Sequence, residues 1–306
     1  MGFTPSRHPD GPPGWRRYVA TGDSFTEGLW DVPDAAPPSR TTHTDPALAC
    51  RGWADLLAGH LADRSGPDGV GLSYANLAVR GRLLAPIVRE QVPAALALEP
   101  DLVSVIGGGN DLLRPGADPD QLAGMLEAAV VAIRRTGADV LIATGMDAVE
   151  SPVIRRTRSR TGVLNSHVWT IARRHGAHVL DVWGMRSLRD WRMWAPDRIH
   201  LTTEGHRRVA QGALVALGLE PDDDRWDDPL APLPPLPAAA RLRTDAQWVK
   251  DHAYPWATRR LRRRSSGDAR RAKQPELVPV RPAAAPGGDQ AGAGQGAPQP
   301  GASTSK

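Results

Sequence analysis

Separated stretches of this chain carry side chains that could do nucleophilic chemistry together. The first runs Tyr18-Val19-Ala20-Thr21 into Gly22-Asp23-Ser24, an apolar run that stops at a glycine and so reads as a strand meeting a tight turn with a serine in the loop. A serine hydroxyl is a poor nucleophile until a neighbouring base takes its proton, and an imidazole suits that task near neutral pH. Asp197-Arg198-Ile199-His200 supplies one, with a carboxylate three residues before it. Asp197 would accept from one ring N–H and fix the tautomer, leaving the other nitrogen to face Ser24. Attack on a carbonyl also needs donors for the oxyanion that develops. The backbone N–H groups of Ser24 and Gly81 and the side-chain amide of Asn110 would provide three, with Gly81 permitting close backbone approach.

These residues lie far apart in sequence, so the elements between them must bring them together. Patterns of period 2 and period 3.6 alternate along the chain. Arg17 to Thr21 reads as a strand, Gly52 to Leu61 as a helix with Trp53, Leu56, Leu57 and Leu61 on one face, and Leu72 to Ala78 as a second strand. Leu83 to Leu98 is a helical pattern interrupted by Pro86 and Pro93, and Asp101 to Ile106 is a near-continuous apolar run that suits a buried parallel strand. Asp118 and Pro119 open a helix to about Thr136, as N-cap and first helical residue. Val140 to Ala143 is the fourth strand, Val163 to His175 a helix, Ala177 to Val182 the fifth strand, and Thr203 to Leu217 a closing amphipathic helix. Such alternation predicts a parallel sheet with helices on both faces. Ser24, Gly81, Asn110 and the Asp197 to His200 segment then all follow the carboxyl end of a strand, the edge where open α/β sheets bind ligands.

Four blocks, Gly22-Asp23-Ser24, Asn76-Leu77-Ala78-Val79-Arg80-Gly81, Gly108-Gly109-Asn110-Asp111 and Asp197-Arg198-Ile199-His200-Leu201-Thr202, resemble in order those of the SGNH/GDSL hydrolase superfamily, the GDSL-like lipases and esterases. The resemblance spans Tyr18 to about Leu217. Each block alone occurs by chance, whereas four in this order are specific. Phe25 stands where the family has Leu, a difference that concerns packing behind the serine. The resemblance implies an α/β fold, the flavodoxin-like three-layer α/β/α sandwich with a five-stranded parallel sheet. It implies Ser24 as nucleophile, His200 as base, Asp197 as the acid that orients it, Ser24, Gly81 and Asn110 as the oxyanion hole, and neither cofactor nor metal. The expected reaction is hydrolysis of a carboxylic ester, a small acyl ester or lysolipid, with an acyl thioester or O-acetylated carbohydrate as alternatives.

Other residues carry blander readings. Asp23 orders the turn as a cap. His206 rivals His200 but belongs to the start of the closing helix, and His167, His175 and His178 lack metal-ligand spacing with nearby carboxylates. Trp183, Trp191 and Trp194 precede the Asp197 segment and suit either an acyl pocket or core packing. Arg155, Arg156, Arg158 and Arg160 read as a connection at the active edge, where they would attract an anionic substrate or simply be solvated. Gly107-Gly108-Gly109 lacks the ending of a phosphate loop. Cys50 is the only cysteine among 306 residues, so no internal disulfide forms and a Cys-based zinc site has no second thiol.

Composition divides the chain. Residues 1–16 read as a flexible N-terminus, 17–220 as the hydrolase domain, 221–240 as an acidic then proline-rich linker, 241–280 as a basic extension with aromatics, and 281–306 as a disordered tail. Arg241 to Lys273 holds eleven Lys and Arg against three Asp and Glu, a local charge of +8 against +4 for the whole chain. Trp248, Tyr254 and Trp256 interleaved with Arg259, Arg260, Arg262, Arg263 and Arg264 would suit an anionic membrane surface more than nucleic acid, or would dock back onto the enzyme. A second class of function follows, a catalytically silent binding protein that brings this extension to its partner. Met1 to Arg17 has no signal-like apolar segment and nothing approaches the ~20 apolar residues of a membrane span, so a cytoplasmic protein is expected. Oligomeric state leaves no mark in the sequence.

Overall fold

A computed structural model describes residues 14–32, 50–64, 71–147, 154–234, 237–254, 267 and 270–281. β1 (Arg17–Gly22) is buried from Tyr18 onward, a state that a strand reaches when helices cover both sides of its sheet. It lies between β2 (Ser73–Asn76) and β3 (Leu102–Ile106), and β4 (Asp139–Ala143) and β5 (His178–Leu180) continue past β3, all parallel. Successive side chains of a strand point to opposite faces and here feed two cores. Tyr18, Ala20 and Leu102 pack with Trp53 and Leu57 of α2 (Trp53–Arg64) and Val209 and Leu214 of α8 (Thr203–Ala216). Val19, Val103 and Val105 pack with Leu126 and Ile133 of α6 (Pro119–Arg134) and Leu164 and Val168 of α7 (Arg158–His175). The result is the three-layer α/β/α sandwich.

The sheet order is β5-β4-β3-β1-β2-β6. The five parallel strands are thus joined by a sixth, β6 (Gln274–Pro279), which comes from the basic extension and runs antiparallel to β2. Its two prolines withhold ladder donors, a pattern tolerated at a sheet edge, and its composition conceals a strand. Gln274 Nε2 donates to the Tyr74 carbonyl at 2.5 Å, and Val280 N to that of Leu72 at 2.8 Å. Lys273 pins the approach, its Nζ donating to Glu27 O at 2.7 Å, Cys50 O at 2.8 Å and Asp55 Oδ2 at 2.6 Å.

Two helical stretches differ from their sequence expectation. The proline-interrupted segment forms α3 (Leu84–Pro86), a π-helical turn (Ile87–Gln91) and α4 (Val92–Leu96); the wide turn falls between two prolines that cannot donate to a regular ladder. α7 begins at Arg158, five residues before the expected Val163, after a 3₁₀ turn (Ile154–Thr157). Ile154, Thr157, Thr161 and Leu164 are buried, a helical spacing that sets the register of this region. Arg155, Arg156, Arg158 and Arg160 therefore lie on the turn and on α7 rather than on an irregular connection.

The acidic run lies against the domain. Asp222 pairs with Arg64 at 2.5 Å, Asp223 with Arg207 at 2.9 Å, and Asp227 Oδ1 accepts from Ser187 N at 3.0 Å. α9 (Ala238–Trp248) and a π-helical turn (Val249–Ala253) follow. Trp256, the cluster from Arg259 to Arg264 and the expected disordered end from residue 282 lie outside the described residues. No helix among the described residues is long and apolar enough to cross a membrane.

Candidate active site

Gly22 ends β1 with φ +152°, and a Cβ there would stand 2.6 Å from both the Ile106 carbonyl and Thr26 Oγ1. Only glycine fits this crossing of the chain. Gln91 holds the same residue from both sides, accepting from Gly22 N at 2.7 Å and donating to Gly22 O at 3.0 Å. Ser24 is then the first residue of α1 (Ser24–Glu27), which Asp23 caps by accepting from Phe25 N at 3.0 Å. The Phe25 ring packs behind the serine, 6.0 Å from Trp53 and 6.3 Å from His206 between ring centres.

The loop before α8 meets this turn. His200 Nε2 lies 2.9 Å from Ser24 Oγ, across 176 residues of sequence, and His200 Nδ1 lies 2.6 Å from Asp197 Oδ2. Arg198 between them has φ +58°, a left-handed turn that curls the loop so that Asp197 Oδ1 accepts from the backbone N–H groups of Ile199 and His200, each at 3.0 Å. Trp30 Nε1 donates to Asp197 Oδ2 at 2.7 Å. Burial alone would raise the Asp197 carboxyl, but the neighbouring His200 and these donors outweigh it and hold the group well below the usual carboxylate range.

Asn110 lies in α5 (Gly109–Leu112), directly after β3, and its Nδ2 donates to Asp23 Oδ2 at 3.0 Å and to the Arg82 carbonyl at 3.1 Å. Asp23 thus joins the serine turn to Asn110. Burial pushes its carboxyl up to about 6, against the lowering effect of the Phe25 N–H and His200. Gly81 turns the chain after β2 with φ +74°, a conformation that glycine adopts at no steric cost. The turn is anchored by a buried ion pair, in which Arg80 N donates to Glu27 Oε2 at 2.6 Å and Arg80 Nε to Glu27 Oε1 at 2.8 Å. Gln91, Trp30 and the Glu27 to Arg80 pair escape the sequence reading because no local spacing links them to their partners.

Ser24, Asn110 and His200 line one cavity of about 150 Å³. From Ser24 its wall continues through Leu112, Leu126, Ile154, Leu164 and Val168, mostly apolar. His206 also faces it, 1 % exposed, with Nδ1 accepting from Trp53 N at 3.2 Å. Burial pushes that imidazole down to about 3, so it is neutral near pH 7. His167 and His175 pair with Asp120 and Glu127 at 2.7 Å each, and His178 Nδ1 contacts the Ala216 carbonyl at 3.1 Å. Cys50 is buried among Leu29, Trp30, Val32 and Ala195.

The three tryptophans expected near the base lie elsewhere than in the cavity wall. Trp183 carries the Arg158 guanidinium 5.2 Å from its ring centre, and Trp194 Nε1 donates to Leu188 O at 2.7 Å. Trp191 stacks on Arg198 at 5.5 Å. On the other side of the same guanidinium lies Trp248 of α9, at 5.2 Å, and Asp245 pairs with Arg198 at 2.8 Å. Trp248 Nε1 also donates to the Asp197 carbonyl at 3.1 Å.

The sequence model described as the GDSL-like Lipase/Acylhydrolase family matches residues 20–208. Among solved structures, LAE5, an alpha/beta hydrolase enzyme from the metagenome of Lake Arreo, Spain, is 23% identical, with a TM-score of 0.53, covering 66% of this chain and 95% of that one. Axe2, an acetylxylan esterase from Geobacillus stearothermophilus, is 20% identical with a TM-score of 0.51, covering 67% of this chain and 95% of that one. Both likenesses show the fold. A comparison with curated proteins finds no match.

Proposed function

Because the chain belongs to the GDSL-like lipase/acylhydrolase family, and is by that membership an SGNH-type carboxylic ester hydrolase, we propose that it cleaves a small acyl ester or lysolipid through an acyl-enzyme on Ser24. The observation that carries this reading is the contact of 2.9 Å between Ser24 Oγ and His200 Nε2. His200 takes the Ser24 proton through Nε2 while Ser24 Oγ attacks the ester carbonyl carbon. The carbonyl π electrons move to oxygen, where the Ser24 and Gly81 N–H groups and the Asn110 amide would receive the charge. Asn110 would release the Arg82 carbonyl to do so. The tetrahedral intermediate collapses as His200 protonates the departing alcohol oxygen. Water then repeats the sequence on the acyl-enzyme, returning a carboxylic acid and the Ser24 hydroxyl. Asp197 keeps Nδ1–H pointed inward and stabilises the imidazolium that forms.

Replacing Ser24 with Ala removes the nucleophile. Turnover of a soluble nitrophenyl ester by Ser24→Ala is expected to fall on the order of 1,000-fold or more; near-normal turnover would refute the assignment. A thioester or an O-acetylated carbohydrate would undergo the same steps and differ only in leaving group. The silent binding alternative is weakened by the intact row of hydroxyl, imidazole and carboxylate, which a scaffold has no need to keep aligned.

A further inference from the structure

The segments that carry Ser24, Gly81, Asn110, Asp197 and His200 all fall inside residues 20–208, the span of the family match, yet several of them are touched by the chain that follows it. From these contacts we propose that the C-terminal extension is a clasp that sets the geometry of the site, with Trp248 and Gly267 as positioning residues for Asp197 and for the turn at Gly81. This rests on ester hydrolysis at Ser24. Backbone strain marks where a clasp is needed. Among the described residues, three that are not glycine have positive φ, namely Trp30 at +80°, Glu99 at +47° and Arg198 at +58°. Such conformations persist only where surrounding contacts over-determine them. Two of the three bear on Asp197, since Arg198 follows it in the chain and Trp30 Nε1 donates to its Oδ2 at 2.7 Å.

Both strained residues meet the extension. Trp248, 7 % exposed, donates from Nε1 to the Asp197 carbonyl at 3.1 Å, its ring lies 5.2 Å from the Arg198 guanidinium, and Asp245 pairs with that guanidinium at 2.8 Å. His252, in the π-helical turn after α9, meets the Trp30 ring edge-on with 6.4 Å between ring centres. Asp197 is thus held by its carbonyl and by its carboxylate, and both holds lead back to α9 and its π-helical turn. Further along, Gly267 is buried against the turn that Gly81 makes, where a Cβ would run into the Arg80 carbonyl oxygen. Lys273 then fastens the extension to α1 through the Glu27 carbonyl at 2.7 Å, an acceptor that the short helix leaves open at its end.

Turnover of a soluble nitrophenyl ester by the full chain and its point variants tests the clasp, each variant being assayed at a temperature where its circular dichroism matches that of the unaltered chain. A misplacement of about 1 Å costs up to about 100-fold in rate. Trp248→Ala should therefore lower kcat on the order of tenfold with KM within about twofold. Trp248→Phe keeps a ring over Arg198 and should recover part of that loss, leaving kcat about threefold low, as should Asp245→Asn. Gly267→Ala should lower kcat on the order of tenfold by displacing the turn at Gly81. In an Asp197→Asn background Trp248→Ala should change kcat by less than about twofold, because the carboxylate through which it acts is already gone, whereas Gly267→Ala should keep its full effect. An unchanged kcat in Trp248→Phe and Asp245→Asn, a change confined to KM, or an equal loss from Trp248→Ala with and without the Asp197 carboxylate would overturn the hold on Asp197. An unchanged kcat in Gly267→Ala would overturn the hold on the turn. No turnover of any ester by the unaltered chain would overturn the reading of Ser24 as well.

Discussion

At the residue scale, the site depends on how each carboxylate is solvated. Asp197 is held ionised by His200, two backbone N–H groups and Trp30. Asp197→Asn would keep the shape and reverse the donor sense toward Nδ1, so kcat should fall on the order of 10,000-fold with an unchanged circular dichroism spectrum. Asp23 is displaced the other way. Its carboxyl is favoured neutral in the fold, at about 6 against an ordinary 3.8. Its stabilising contribution is therefore full below pH 4 and is lost as pH rises through 6, an effect on the order of 3 kcal/mol. Urea unfolding of Asp23→Asn between pH 4 and 7 should show a pH dependence smaller by that amount. Ser24, Asp197 and His200 are legible in the sequence because the proposed nucleophile, acid and base sit in short local patterns at strand ends. Gln91 and Trp30 are not, since their partners lie 69 and 167 residues away and only the folded chain brings them together.

At the element scale, alternating apolar runs reveal the five parallel strands and the two helical layers, because periodicity encodes which faces are covered. β6 is concealed by its prolines and its polar neighbours. Its anchor is Lys273, whose ammonium reaches two carbonyls and the Asp55 carboxylate. Lys273→Met would leave all three acceptors without this donor and should cost on the order of 3 kcal/mol, read as a lower urea midpoint. The start of α7 is similarly hidden, because four arginines mask the buried Ile154, Thr157 and Thr161 beneath them.

At the scale of the whole molecule, charge is unevenly spread. The net +4 conceals a +8 segment between Arg241 and Lys273, part of which, as α9 and the approach to β6, is built into the domain. Removing the whole extension would therefore strip the sheet of a strand and confuse binding with folding. Changing Arg259, Arg260, Arg262, Arg263 and Arg264 to Gln is the cleaner probe. On the proposal that this cluster meets an anionic surface, at about 1 kcal/mol per arginine, the full chain should sediment with phosphatidylglycerol vesicles and the variant should do so more than a hundredfold more weakly while hydrolysis of soluble esters is retained; no sedimentation of the full chain would refute that proposal. The ladder between β2 and β6 joins residues 200 positions apart. On the ribosome, β2 is therefore made long before the strand that seals it and presents a bare row of amides and carbonyls to every neighbouring nascent chain. Until residues 274–279 emerge, this edge of the sheet has no partner from its own chain, and pairing with another chain is its open alternative.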